Sequence, residues 1–375
     1  VVVIGAGMIG AACADALARR GMRVAVLDRG PVVGGTTGAG EGNLLVSDKG
    51  PGPELELAVE SLRLWRELAE DLGPRALEYE PKGGLVVARD RQAFTELQAS
   101  ARLQCLSGVT TVEVPADALG ELEPHLAPGL AGGVHYPQDA QVQPALAAAA
   151  LLRRARDTGR VHLLAATTVT GLSEGRVETD AHGTLLCASV VNAAGTWSGE
   201  IAALAGATLP VLPRRGFVLV TEPLPPLVRH KVYAADYVAD VASGSADLQS
   251  SAVVEGTAAG PVLIGASRER VGFDRGLSVP VLARLAAQAA ELFPALREVR
   301  VLRAYRGFRP YLPDHLPAIG PDPERPWLFQ ACGHEGAGIG LAPATARLVA
   351  QLLDGEQPFM DPAPFGPGRF GKEQA

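Results

Sequence analysis

Long apolar runs are missing from this 375-residue chain: none approaches the roughly 18 residues expected of a membrane span. Blocks of one charge are missing too. The formal net charge of −7 is spread along the chain, which argues against nucleic acid and against an anionic membrane surface as partners. Cysteine is scarce. Cys13, Cys105, Cys187 and Cys332 lie far apart, and no two have metal-ligand spacing, so free thiols in a reducing, cytoplasmic compartment and no metal are expected. Tyrosine is sparse, at 6 residues, and internal repeats and low-complexity tracts are absent. What is abundant is apolar sequence (47%) broken by 44 glycines and 29 prolines. That pattern predicts many tight turns in a chain large enough for two domains.

The first 30 residues, VVVIGAGMIGAACADALARRGMRVAVLDRG, carry the clearest motif. Val1–Ile4 read as a buried parallel strand. Gly5 permits a tight turn, Gly7 lets backbone approach a pyrophosphate, and Gly10 lets a helix pack against the strand. The helix is expected to run to about Arg20, with Arg19 and Arg20 at its negative end and Gly21 as terminator. A second strand, Arg23–Leu27, ends in Asp28, 18 residues past Gly10 and near the spacing that sets a carboxylate on a ribose hydroxyl. This unit serves both NAD and FAD.

The next run, PVVGGTTGAGEGNLL at 31–45, decides between them. An NAD domain would continue into another helix–strand unit. This Gly- and Thr-rich loop instead offers N–H and hydroxyl groups along a long ligand. TTVTGL (167–172) reads as a strand at an edge of the nucleotide domain. VVNAAGTWS (190–198) reads as a strand running into Ala-Gly and Trp197. WLFQACGHEGAGIGLAPATARLVAQLL (327–353) reads as strand, Gly-rich turn and helix, whose N-terminus suits an electron-rich ligand edge.

With these motifs the chain resembles the D-amino-acid oxidase superfamily of FAD enzymes. It is closest in type to the glycine and sarcosine oxidase branch, and within it to hydroxyproline and opine dehydrogenase subunits and the flavin subunit of hydrogen cyanide synthase. The resemblance implies an α/β fold: a Rossmann-type FAD-binding domain with a second, largely antiparallel α+β substrate domain. It implies that Gly5, Gly7, Met8, Ile9 and Gly10 bound the pyrophosphate turn, and that Asp28, with Arg29 beside it, holds the adenosine ribose. Gly35, Thr36 and Thr37 would contact pyrophosphate or ribityl. Gly42, Asn43 and Leu44 would lie along the isoalloxazine, and Val169 would meet the adenine through its backbone. Ala194, Gly195 and Trp197 would close over the cofactor. Gly333, His334, Gly336, Ala337, Gly338 and Ile339 would meet the flavin pyrimidine. FAD is expected to be bound non-covalently.

Flavin domains of this kind are discontinuous. Residues 1–80, 143–213 and 320–375 are expected to form the FAD domain, and 81–142 and 214–319 the substrate domain. PELELAVESLRLWRELAEDLG (53–73) has the period of a helix with Pro53 at its start. GGLVVARD (83–90) reads as a strand, and GGVHYPQDAQVQP (132–144) as a strand that leads back to a helix beginning near Pro144; RRGFVLVTEPLP (214–225), SAVVEGT (251–257) and PVLIGASRE (261–269) read as strands of an antiparallel sheet over the flavin.

In AYRGFRPYLPDHLPAIG (304–320), Arg309 stands in Gly307-Phe308-Arg309-Pro310, which matches the family's G-x-R-P pattern. A guanidinium holds a carboxylate with two parallel hydrogen bonds, and Arg309 is the expected anchor of the substrate's carboxylate. Arg306 reads as a salt-bridge or surface residue. KVYAADYVADV (231–241) reads as an active-site cover in which Tyr233 and Tyr237 hold substrate. Asp236 or Asp240 would receive an ammonium there. Glu255 replaces an arginine of the glycine oxidase branch and is placed with the substrate. His334 would polarise the flavin or the substrate, or bond a backbone carbonyl.

The implied reaction is oxidation of the C–N bond of an amino acid or secondary amine carrying a carboxylate, by hydride transfer to flavin N5, giving an imine. Substrates in view are D-amino acids, glycine, sarcosine, prolines and opines. The partner is a small electron-transfer subunit or a second copy. Two alternatives are a 2-hydroxy-acid dehydrogenase, for which no conspicuous His–carboxylate pair supplies a base, and a non-catalytic flavoprotein subunit.

Overall fold

A computed structural model describes residues 1–237 and 244–371. Asp240 lies outside the described residues. The β-branched runs VVI and VAVL form adjacent parallel strands, Val2–Ile4 and Val24–Leu27. They sit at the centre of a six-stranded sheet ordered Ala318–Pro321, Leu328–Cys332, Val190–Asn192, Val2–Ile4, Val24–Leu27, Val161–Leu164. All neighbours in it are parallel except the edge strand Ala318–Pro321. Helices cover such strands, which is why they carry no polar alternation. Met8–Arg19 packs against Pro144–Asp157 and Gly338–Asp354, and the latter against Pro53–Leu72.

One helix contact explains a buried tryptophan. Pro343 lies inside Gly338–Asp354 and has no N–H for the carbonyl of Ile339 four residues earlier. The Trp65 indole takes its place, donating to Ile339 O and Gly340 O at 3.1 Å each. Ser61 Oγ donates to Gly340 O at 2.6 Å and accepts from Ala344 N at 3.3 Å.

The second sheet has eight strands, ordered Val301–Tyr311, Leu212–Thr221, Val262–Arg268, Gln249–Gly256, Lys231–Ala234, Gly84–Ala88, Gly132–Tyr136, Val112–Pro115. Every pair is antiparallel except Lys231–Ala234 with Gly84–Ala88. Helix Val279–Leu292 packs on it, and its apolar side chains join those of the sheet in a separate core. The stretch 167–172 does not extend the six-stranded sheet: Val169–Ser173 opens a three-stranded antiparallel meander. Gly175 and Gly183, both at positive φ, make the tight turns that favour this local pairing.

Candidate active site

A cavity of about 540 Å³ is walled by the first βα turn, the 31–43 loop, the start of the C-terminal helix and the far edge of the eight-stranded sheet. At its entry turn, Gly5 has φ +110°, and a Cβ there would collide with the carbonyl of Ala193. Helix Met8–Arg19 starts from Gly7 without a cap from a neighbouring side chain; Thr37 Oγ1, from the loop, accepts from Met8 N at 3.0 Å. Asp28 lines the cavity and fixes the turn, accepting from Ala6 N and Gly30 N at 2.8 Å each. Thr36 and Thr196 both donate to Phe308 O, at 2.6 and 3.0 Å. Those two bonds tie the nucleotide-type loops to the strand that carries Arg309.

At the other end, Gly216 and Gly307 face each other on adjacent strands. A Cβ on Gly216 would strike the Arg309 guanidinium, and one on Gly307 would meet Ala39 at 2.8 Å. This bare patch lets Arg309 lie across the sheet to donate from Nη1 to Ser267 O at 2.8 Å. Arg309 lines the cavity and forms no ion pair with any carboxylate among the described residues. Its neighbours on the next strand are paired: Arg214 with Glu335, Arg215 with Glu269 and Asp274. Burial and then the nearby Arg268 cation lower the Arg309 pKa. Arg268 is itself buried, has no ion pair among the described residues, and lies 4.6 Å from the ring centroid of Tyr237. Tyr237 lines the cavity. Two guanidiniums without an ion pair among the described residues therefore stand near each other at the cavity.

A family description, FAD dependent oxidoreductase (DAO), matches residues 1–352. The chain belongs to this family. It is 31% identical to the hydrogen cyanide synthase subunit HcnC of Pseudomonas aeruginosa, across 100% of this chain and 97% of that one. It is also 31% identical to glycine oxidase of Geobacillus kaustophilus, across 97% and 95%. The crystal structure of glycine oxidase from Geobacillus kaustophilus superimposes with a TM-score of 0.90 over 99% of this chain and 98% of that one, at 30% identity. L-proline dehydrogenase from P. horikoshii superimposes at 0.89, with 25% identity over 98% and 96%.

As a member of this FAD-dependent oxidoreductase family, the chain brings most of the expected residues to one cavity. Gly5, Gly7, Met8, Ile9, Asp28, Arg29, Gly35, Thr36, Thr37, Gly42 and Asn43 line it from the N-terminal side. Val169, Ala194, Gly195 and Trp197 line it from the middle of the chain. Arg309, Tyr237, His334, Gly336, Gly338 and Ile339 complete it. Arg29 sits 4.4 Å from the Trp197 ring centroid.

Seven expected residues are absent from the lining. Leu44 is buried, because Asn43–Leu44 is a strand paired with Ala140–Gln141 and successive side chains point to opposite faces. Gly10 backs the turn, where a Cβ would collide with Gly5 O. Gly333 packs on Leu312, and Ala337 starts the C-terminal helix against the core. Tyr233 is wholly buried, its hydroxyl donating to Ser47, whose own hydroxyl donates to Asp139. Glu255 is wholly buried in an ion pair with Lys231, which also donates to Asn43. Asp236 is exposed. Arg306 is also outside the lining.

His334 is buried, which lowers its pKa to about 3, and Nε2 bonds Thr345 Oγ1 at 2.9 Å, so the ring is neutral. Cys332 lines the cavity, but burial pushes its thiol up to about 12. The sequence showed no His–carboxylate pair, yet the structure places one beside the cavity: His315 Nδ1 and Glu335 Oε2 are 3.1 Å apart. Glu335 lines the cavity and His315 does not. Burial opposes the Glu335 charge, but His315 and Arg214 outweigh it and hold the carboxyl below its usual range.

Residues that sequence reasoning missed are Glu41, Arg275, Glu335 and the Gly216–Gly307 pair, all in the lining, with Arg268 beside them. Glu41 stood inside the quoted Gly-rich loop. A carboxylate in a run of glycines beside a ligand turn is a signal in itself. Among the described residues no group of three potential ligands is placed to hold a metal, and no helix is long and apolar enough to cross a membrane.

Proposed function

We propose that this cavity oxidises the C–N bond of an amino acid or secondary amine through its carboxylate anchored on Arg309. The observation that carries the reading is the Arg309 guanidinium, in the cavity wall and without a carboxylate partner among the described residues. The glycine oxidase and L-proline dehydrogenase relatives, whose names specify amino-acid oxidation, support it.

The residues fit FAD. A bare backbone at Gly7 opens a helix N-terminus to the cavity, which suits a pyrophosphate. Asp28 faces the same end with acceptor capacity left for a ribose hydroxyl. At the start of Gly338–Asp354, a second helix N-terminus without a capping side chain faces the same cavity. When bound, FAD supplies the acceptor for the two electrons and the hydrogen taken from the substrate carbon. The chain's own part is orientation: Arg309 fixes both carboxylate oxygens, Tyr237 closes the space above Arg268, and neutral His334 adds no charge. A protonated Cys332 and a bonded His334 are poor nucleophiles, so the cofactor is held non-covalently. Acid precipitation tests this: the yellow colour passes to the supernatant, and colour kept in the pellet contradicts it.

The 2-hydroxy-acid alternative needs a base at the reacting hydroxyl. Among the described residues, the His–carboxylate pair beside the cavity is tied to Arg214 through Glu335 and keeps its histidine outside the lining. Anaerobic addition of amino acids and of matched hydroxy acids tests the choice; bleaching by hydroxy acids alone would reverse it. Re-oxidation by air then identifies an oxidase. Re-oxidation only by a dye or a small electron-transfer subunit identifies a dehydrogenase, which the name of the cyanide synthase relative, a subunit, favours.

A further inference from the structure

A carboxylate stands in the cavity wall with one oxygen unpartnered among the described residues. Glu41 lines the cavity at 8% exposure. Its Oε1 is buried without a hydrogen-bond partner among the described residues. Its Oε2 accepts only a long bond, 3.4 Å, from Asn43 Nδ2. Buried carboxylates are costly unless paired, so an orphaned one beside a ligand space implies that the ligand supplies the donor.

The surroundings hold it there without satisfying it. Glu41 rests over Gly265, whose missing side chain makes the room: a Cβ there would collide with Oε1. A buried cation in its neighbourhood, Lys231, is already matched by Glu255 and bonded to Asn43. Burial opposes the Lys231 charge, yet Glu255 and then Glu41 together hold its pKa above the usual value. Lys231 is thus committed by direct bonds to Glu255 and Asn43, and no ion pair joins it to Glu41. On the same strand, two residues past Gly265, Ser267 O receives the Arg309 guanidinium. There Arg309 and Arg268 stand without an ion pair among the described residues. Glu41 lies close enough for its charge to support the Arg309 cation.

We propose that Glu41 receives the amine nitrogen of the substrate while Arg309 holds its carboxylate, so that the cavity selects zwitterions. Its substrate class is α-amino and N-alkyl-amino acids bearing an N–H donor, and carboxylates without nitrogen are poor ligands. This rests on the amine-oxidation reading above and adds a specificity residue to it. Glu41 touches the substrate at nitrogen and Arg309 at oxygen. The pair fixes the direction in which the molecule lies, which neither charge alone can do.

The test compares FAD-loaded wild type with Glu41→Gln, which keeps shape and removes charge. Ligands are paired: glycine with acetate, D-alanine with propionate, and each proline enantiomer with cyclopentanecarboxylate, in which CH2 replaces the ring nitrogen. Binding is read from the perturbation of the flavin absorption spectrum, and KM from turnover. Glu41→Gln is expected to raise KM for the amino acids about tenfold or more, as befits loss of a charge-assisted bond. The three nitrogen-free carboxylates are expected to bind the variant as tightly as wild type or tighter. An equal weakening of both members of each pair, or no change in either, overturns the proposal. Loss of flavin absorbance from Glu41→Gln also overturns it, because it places Glu41 on the cofactor. Failure of the underlying reading looks different: wild type itself would show no flavin reduction by any amino acid, before any variant is made.

Discussion

Single residues decide the chemistry here. Arg309 has one protein bond, to Ser267 O, and no counter-ion among the described residues, so its binding capacity is reserved. Replacing Arg309 by Ala should raise KM for a carboxylated amine by about 100-fold while the bound FAD spectrum is unchanged. Steady-state kinetics beside an absorption spectrum checks both halves; an unchanged KM removes Arg309 from the site. Asp139 shows a different residue-scale effect. It is wholly buried, accepts from Val46 N at 2.8 Å and from Ser47, and burial raises its pKa to about 7. Its folded pKa stands above the unfolded value, so its contribution to stability is complete below about pH 4 and is lost as pH rises through about 7. The slope is about 1.4 kcal/mol per pH unit at its steepest. Urea unfolding between pH 4 and 8 should show that slope in wild type and its removal in Asp139→Asn. Identical pH dependence in the two proteins would contradict the assignment.

Elements explain which parts of the structure the sequence disclosed. The N-terminal strand–turn–helix unit was readable because three glycines, a β-branched run and a terminal acid each answer one geometric need in order. Helix Pro53–Leu72 was readable from its period and its proline start. Strand Val301–Tyr311 was not. It runs along the sheet edge, and its residues alternate Arg, Gly and aromatic because one face meets a ligand space rather than an apolar core. Helices Arg91–Cys105 and Val279–Leu292 also went unread, although Asp90 caps the first by accepting from Ala93 N at 2.8 Å. The proline-containing C-terminal helix yields an element-scale expectation. Trp65→Phe leaves the Ile339 carbonyl without its indole donor and removes one fused ring from a fully buried site. The variant should lose about 1–3 kcal/mol of unfolding free energy. Denaturant unfolding measures it, and a variant as stable as wild type would mean that the carbonyl finds another donor.

At the scale of the whole molecule, two sheets with different logic meet across one cavity. The parallel sheet brings the turn, Asp28 and the C-terminal helix start together from opposite ends of the chain. The mainly antiparallel sheet supplies the guanidiniums and the bare glycine floor. The sequence made the cofactor half of this site readable, since glycine spacing is local. Of the substrate-side expectations, Arg309 and Tyr237 line the cavity. Tyr233 and Glu255 turned out to be interior, and Glu41 and Arg268 emerged only once distant strands were registered, because their meaning depends on who stands opposite. Amine oxidation at this cavity is tested most directly by an anaerobic titration of the FAD-loaded protein with glycine, sarcosine, D-alanine and the proline enantiomers, followed by the flavin's visible absorption. Stoichiometric bleaching by at least one of them is expected; a protein that holds FAD in this cavity yet is bleached by none is not an amino-acid oxidoreductase of this kind.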